Sequence, residues 1–176
     1  MERAQLMKEI YAASHLTGEF LLRSGQISNE YFDKYLFEAN PTLLEAIAEQ
    51  METLIPAECN ALAGLEMGAI PVVTMLSHIT KLPAAFVRKT AKEYGTKKAS
   101  EGTDLKGKNV IIVEDVVTTG GQIILSAQDI LNEGANIIGV LCVILRDPKA
   151  YDILSAKGLR LIPLFTMDEI KEAVEQ

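Results

Sequence analysis

Residues 110–122 read VIIVEDVVTTGGQ, an apolar run that closes on two adjacent acids, two threonines and two glycines. Residues 110–113 are β-branched and continuously apolar, the pattern of a strand buried on both faces of a parallel sheet. The following GGQIILSAQDIL spaces its apolar residues as a helix does. A loop between such a strand and such a helix lies at the carboxyl edge of an open α/β sheet, where ligands bind. The helix start offers unpaired amides and a partial positive charge, and glycines let an anion approach the backbone. Thr118 and Thr119 add hydroxyl donors. Glu114 and Asp115 would repel that anion, but ionised carboxylates accept well from two vicinal hydroxyls. A ribose 5-phosphate satisfies both ends at once. The plainer alternative is that the acids and threonines only cap the helix. Neither a G-x-x-x-x-G-K-[ST] phosphate loop nor the spacing of G-x-G-x-x-G occurs here.

Outward from this stretch, short apolar runs alternate with helical spacing. NALAGL, AAFVRK, NVIIVED, IIGVLCVILRD and LRLIPLF read as buried parallel strands. GAIPVVTMLSHIT, GGQIILSAQDILNEGA and PKAYDILSAKG read as helices, the last two stopped at Gly134 and Gly158. The expected fold is α/β, a central parallel sheet flanked by helices. Upstream, residues 18–37 read as two short strands around a turn at Ser24 and Gly25, a small hood preceded by a helix near residues 3–14 and followed by one over 41–55. One domain over residues 1–176 is expected, with a hood of about residues 1–40 plus the C-terminal segment, and a core of about 41–165. Residues 90–102 are polar, rich in lysine and glycine, without apolar anchors, and are expected to be mobile.

Composition narrows the function. With 48% hydrophobic and 23% charged residues the chain is globular, and no apolar run approaches the ~20 residues needed to cross a bilayer. The N-terminus lacks a signal-peptide core, so a cytoplasmic protein without membrane attachment is expected. Cys59 and Cys142 are far apart without metal-like spacing, which suits reduced core thiols. A net charge of -7 argues against nucleic-acid binding. Yet Arg88, Lys89, Lys92, Lys97 and Lys98 crowd into RKTAKEYGTKK, one local anion site or else a solvated lysine loop. His15 and His78, at helix ends, read as structural or surface residues.

VIIVEDVVTTGG resembles the signature of the type I phosphoribosyltransferases: an apolar strand, two acids, two apolar residues, threonine, a small residue and glycine. Within that group GEFLLRSGQISNEYFDK, FVRKTAKEYGT and VILRD resemble the hood, the basic catalytic loop and the base-binding strand end of the orotate phosphoribosyltransferases. The resemblance implies that Glu114 and Asp115 hold the ribose hydroxyls of phosphoribosyl pyrophosphate. It implies that Val116, Val117, Thr118, Thr119, Gly120, Gly121 and Gln122 wrap the 5-phosphate. Arg23, Arg88, Lys89, Lys92 and Tyr94 would contact the sugar or the pyrophosphate, in active sites shared across a homodimer. Tyr31, Phe32, Thr118 and Arg146 would bind orotate, the arginine pairing with its carboxylate. Magnesium would ride on the diphosphate and water, with no protein ligand firmly assigned. Residues 90–102 would close over the site.

Replacing pyrophosphate by a ring nitrogen passes through a cationic ribose, so the chemistry asks for negative charge from Glu114 and Asp115 near the sugar and cations on the leaving group. The chain departs from the common pattern in having Lys92-Glu93-Tyr94-Gly95 where many relatives carry a histidine, which leaves Lys92 as the candidate proton donor. In LEMGAIP, residues 65–71, the tyrosine-lysine pair of some members is absent, while Gly68 leaves room for backbone amides at a diphosphate. The alternatives are a purine phosphoribosyltransferase and a non-catalytic sensor of phosphoribosyl pyrophosphate.

Overall fold

The computed structural model describes residues 1–22, 24–89 and 99–176. Among them, α1 (Arg3–Ser14) leads into an antiparallel hairpin of β1 (His15–Leu21) and β2 (Ile27–Phe32). Next come α2 (Lys34–Glu38), α3 (Pro41–Glu52), β3 (Ala61–Leu65), α4 (Ala69–Thr80), β4 (Ala84–Val87) and β5 (Ser100–Gly102). The remainder is β6 (Asn109–Val117), α5 (Gly121–Asn132), β7 (Asn136–Leu145), α6 (Lys149–Ser155), β8 (Leu161–Thr166) and α7 (Met167–Glu175).

The second sheet has the order β5-β4-β3-β6-β7-β8, parallel from β4 to β8. Its direction of growth reverses between β3 and β6. The crevice beyond their carboxyl ends is therefore the switch point at which such sheets hold ligands. One face carries α1, α3, α4 and α7 over a core that includes Leu6, Ile47, Leu76, Val113 and Phe165. The other carries α5 and α6 over Ile112, Ile123, Cys142 and Leu154. Every residue of β3 is buried, as its unbroken apolar run predicts. Past α5 and α6, Gly134 and Gly158 take left-handed φ of 86° and 72°, which ends each helix as expected.

Four expectations change, although the parallel sheet flanked by helices is as expected, with one antiparallel edge where β5 pairs with β4. That strand lies inside the stretch read as unanchored: Ser100 is buried, and Glu133 accepts hydrogen bonds from Ala99 N and Ser100 N at 3.1 Å. The hood's second strand ends at Phe32, and a short helix follows because Asp33 caps it, accepting from Tyr35 N at 3.1 Å. The strand expected to end at Val113 continues to Val117, since β7 pairs with it as far as Val117 opposite Leu145. The helix expected over 41–55 stops at Glu52.

Candidate functional site

Because β6 runs on, its two acids are strand residues with opposite orientations. Asp115 shares the face of Val113 and points toward α4 and the hood; its side chain is 1% exposed. Its Oδ1 accepts from Val116 N at 2.5 Å, and its Oδ2 is paired with Lys34 Nζ, delivered by α2. The backbone after β3 closes the third side. A Cβ on Gly68 would lie 1.5 Å from Asp115 Oδ2, so only glycine fits while the carboxylate stays in place. Glu38, one helical turn from Lys34, is also buried and faces the same group, with neither oxygen in a well-aligned hydrogen bond.

Three carboxyls and one ammonium thus share a small volume. Burial alone would raise Asp115, but hydrogen bonding with Glu114 and Lys34 and the lysine's charge outweigh it, so Asp115 lies below the usual range and is ionised. Glu114 is pushed up to about 9 by burial, then by the hydrogen bond and charge of Asp115. Glu38 is likewise pushed up to about 9, by burial first and Asp115 second. Burial opposes the charge on Lys34, yet Asp115 and Glu114 hold its pKa above the ordinary lysine value.

Lys34, Glu114 and Asp115 line a cavity of about 330 Å3 over the switch point, together with Tyr35, Glu66, Met67, Gly68, Lys89 and residues 116–123. Gly120, at φ 77°, precedes α5 with no side-chain cap, so the first-turn amides of that helix face the cavity's anion side uncapped. The reading of the threonines and acids as helix caps is thereby excluded. Thr118 and Thr119 are exposed beside them.

A second cavity, about 360 Å3, gathers Tyr31, Phe32 and Arg146 with Tyr11, His15, Glu30 and Lys171. Arg146 N donates to Val117 O at 2.8 Å, so the arginine leaves β7 beside the 118–120 loop. Its guanidinium carbon lies 5.7 Å from the Phe32 ring centroid. His15, set aside on sequence, stacks on Tyr11 at 4.6 Å, and by hydrogen bonding Glu30 at 2.8 Å it holds that carboxylate below its usual range.

Of the expected site residues, Glu114, Asp115, Lys89 and 116–122 converge on the first cavity, and Tyr31, Phe32 and Arg146 on the second; Thr118 lines the first. Arg88 lines neither, its Nε lying 3.6 Å from Glu101 Oε1. Arg23, Lys92 and Tyr94 lie outside the described residues, as does most of the 90–102 segment. Lys34, Glu38 and Glu66 were missed. Lys34 and Glu38 stand four apart, the spacing of one helix face, but the helix is only five residues long and lay hidden behind a strand reading.

Comparison with known proteins finds relatives over nearly the whole chain. A model described as a phosphoribosyl transferase domain matches residues 37–171. An orotate phosphoribosyltransferase of a Nocardioides species is 46% identical over 172 residues, covering 98% of this chain and 96% of the relative. That of Methanocella arvoryzae is 36% identical, covering 96% and 95%. The crystal structure of Mycobacterium tuberculosis orotate phosphoribosyltransferase in complex with 5-phospho-alpha-D-ribosyl 1-diphosphate superposes with a TM-score of 0.82 at 26% identity, covering 96% of this chain and 98% of that one. The chain belongs to the phosphoribosyltransferase family, among the orotate phosphoribosyltransferases.

Proposed function

We propose that the chain transfers the 5-phosphoribosyl group of phosphoribosyl pyrophosphate to orotate, giving orotidine 5'-phosphate and diphosphate in pyrimidine nucleotide synthesis. The observation that carries this reading is the meeting, in one cavity, of an ionised buried aspartate and an uncapped helix start. In the reaction the anomeric C–O bond breaks with its electron pair leaving on diphosphate, and a ring nitrogen of orotate gives up its proton to solvent and forms the new C–N bond. The 5-phosphate accepts from the α5 amides and from Thr118 and Thr119. Glu114 and Asp115 hold the ribose hydroxyls, and the charge of Asp115 steadies the cationic sugar. Lys89 faces the departing diphosphate. Lys92 is the proposed proton donor to it, Arg88 would reach the site of a neighbouring subunit, and Arg23 and Tyr94 would complete the substrate contacts.

Orotate would sit between Tyr31, Phe32 and Arg146, with Thr118 at its edge. A guanidinium meets a planar carboxylate with two parallel hydrogen bonds, which a purine does not offer. Magnesium fits the hard oxygen donors facing the cavity. Carried by the diphosphate and water rather than by a protein cage, it would neutralise charge on the leaving group. A homodimer is supported by the exposed apolar side chains of Leu36, Met67 and Phe86. A cytoplasmic location suits two free buried thiols, and among the described residues no helix is long and apolar enough to cross a membrane.

The test supplies phosphoribosyl pyrophosphate and magnesium with orotate, hypoxanthine or adenine in turn. Product with orotate alone is expected; turnover of a purine without orotate, or binding of phosphoribosyl pyrophosphate without turnover of any base, overturns the reading. Arg146→Ala should raise KM for orotate by about 100-fold and leave calorimetric affinity for phosphoribosyl pyrophosphate unchanged.

A further inference from the structure

Asp115 cannot meet a sugar hydroxyl as it stands. Its side chain is 1% exposed, Oδ1 is taken by Val116 N, and Oδ2 is enclosed by Lys34 Nζ and the Gly68 backbone. Of these neighbours only Lys34 is free to move away: its side chain is 32% exposed, on a long flexible stem that enters the cavity from α2, whereas Val116 and Gly68 are main chain. A ribose that engages Asp115 therefore expels the ammonium. A buried ammonium without an anion is costly, so it must find another within reach. Around it Glu114 and Glu38 hold protons, and Glu66 is the remaining carboxylate of the cavity lining, its Oε1 accepting from Lys89 N at 2.7 Å. Lys34 Nζ lies against residue 68 in the loop after β3, where an added Cβ would be 2.8 Å away. Among the described residues lining this cavity, Lys34 and Lys89 are the cations.

We propose that Lys34 is a substrate-contacting residue that exchanges anions: it occupies the ribose position on Asp115 and, when the sugar arrives, turns over residues 66–68 to the diphosphate. The inference rests on the reaction proposed above. The arriving substrate takes one partner from the lysine and brings another, so the hood helix α2 closes on a complete substrate and gains nothing from ribose 5-phosphate alone.

Calorimetry with magnesium compares wild type, K34M and K34R on inorganic diphosphate, ribose 5-phosphate and phosphoribosyl pyrophosphate. K34M is expected to weaken diphosphate and phosphoribosyl pyrophosphate by about 10- to 100-fold and to leave ribose 5-phosphate equal or tighter, because nothing competes for Asp115. K34R should retain most of the diphosphate affinity. Unchanged diphosphate affinity in K34M, or equal weakening of ribose 5-phosphate and phosphoribosyl pyrophosphate, overturns the exchange while leaving the reaction intact. Failure of the wild type to bind phosphoribosyl pyrophosphate overturns both. Reductive methylation of the wild type, read by mass spectrometry, does not depend on variant folding. Ribose 5-phosphate alone should increase labelling of Lys34 and phosphoribosyl pyrophosphate should decrease it; equal labelling under both refutes the proposal.

Discussion

Replacing Glu38 by glutamine tests the charge state of the cluster beneath the ribose site. Glu38 is 4% exposed and pushed up to about 9 from 4.5, so in the folded protein it holds a proton that the unfolded chain gives up above 4.5. A carboxyl whose folded pKa is raised contributes stability that is fully present below the unfolded value and is lost as pH rises toward the folded one. Between about pH 4.5 and 9 the folded state binds one more proton at this group, which costs about 1.4 kcal/mol per pH unit. At about pH 7.5, three units above 4.5, the loss reaches about 4 kcal/mol; at about pH 5.5 it is about 1 kcal/mol. Glutamine has nearly the same shape, stays neutral, and its amide donates to Asp115 as the carboxylic acid would. E38Q should therefore be more stable than wild type at about pH 7.5 by as much as ~4 kcal/mol, with the advantage shrinking on acidification at about 1.4 kcal/mol per unit. Urea denaturation at several pH values reads the difference directly. Two parallel stability curves, offset by the same amount at every pH, would falsify the assignment of the proton to Glu38.

Two further substitutions address the walls of the site. Gly68→Ala places a methyl 1.5 Å from Asp115 Oδ2, so the carboxylate or the loop must shift; orotate turnover should fall by about 100-fold, and steady-state activity within about threefold of wild type would refute the contact. Glu133→Ala strips the acceptor from Ala99 N, Ser100 N and Ser100 Oγ, an expected loss of about 1–3 kcal/mol in local stability. Faster hydrogen exchange at the Ala99 and Ser100 amides is the readout, and unchanged protection there would count against the anchor.

Where the fold was legible, local pattern and tertiary demand agreed. The unbroken apolar runs of β3, β6 and β7 are buried because both sheet faces are covered, and the left-handed glycines end α5 and α6 where their spacing said. It was illegible where an element takes its identity from a partner. β5 is Ser-Glu-Gly, with no alternation to read, and exists through pairing with β4 and the carboxylate of Glu133. The acids of residues 114 and 115 looked like the start of a loop because charge rarely enters a buried strand; pairing with β7 decides otherwise. Lys34 and Asp115 are distant in the chain, and nothing local tells that a hood lysine reaches a core aspartate. Motif chemistry located the phosphate loop; the electrostatic setting of its acids needed the fold.

That setting bears on how the site makes its charge. Desolvating two ions and two acids is poor economy for stability, since a buried ion pair seldom outweighs its desolvation. The cluster makes sense as a device for timing. With Glu114 and Glu38 neutral, Asp115 negative and Lys34 positive, the four groups together are uncharged at neutral pH. Removing only the ammonium converts them into a single negative charge, fixed in a low-dielectric wall directly under the sugar. A field of that kind acts on a cation far more strongly than one screened by water. If the sugar's own arrival removes Lys34, the negative charge comes into being only when there is a ribose to stabilise, and the lysine's positive charge moves toward the oxygen that must leave. Both displacements favour the same bond cleavage. K34M should then show a kcat loss in addition to weaker diphosphate binding, because its Asp115 charge is present throughout but its leaving group lacks the cation; a change confined to KM would remove the lysine from the chemical step.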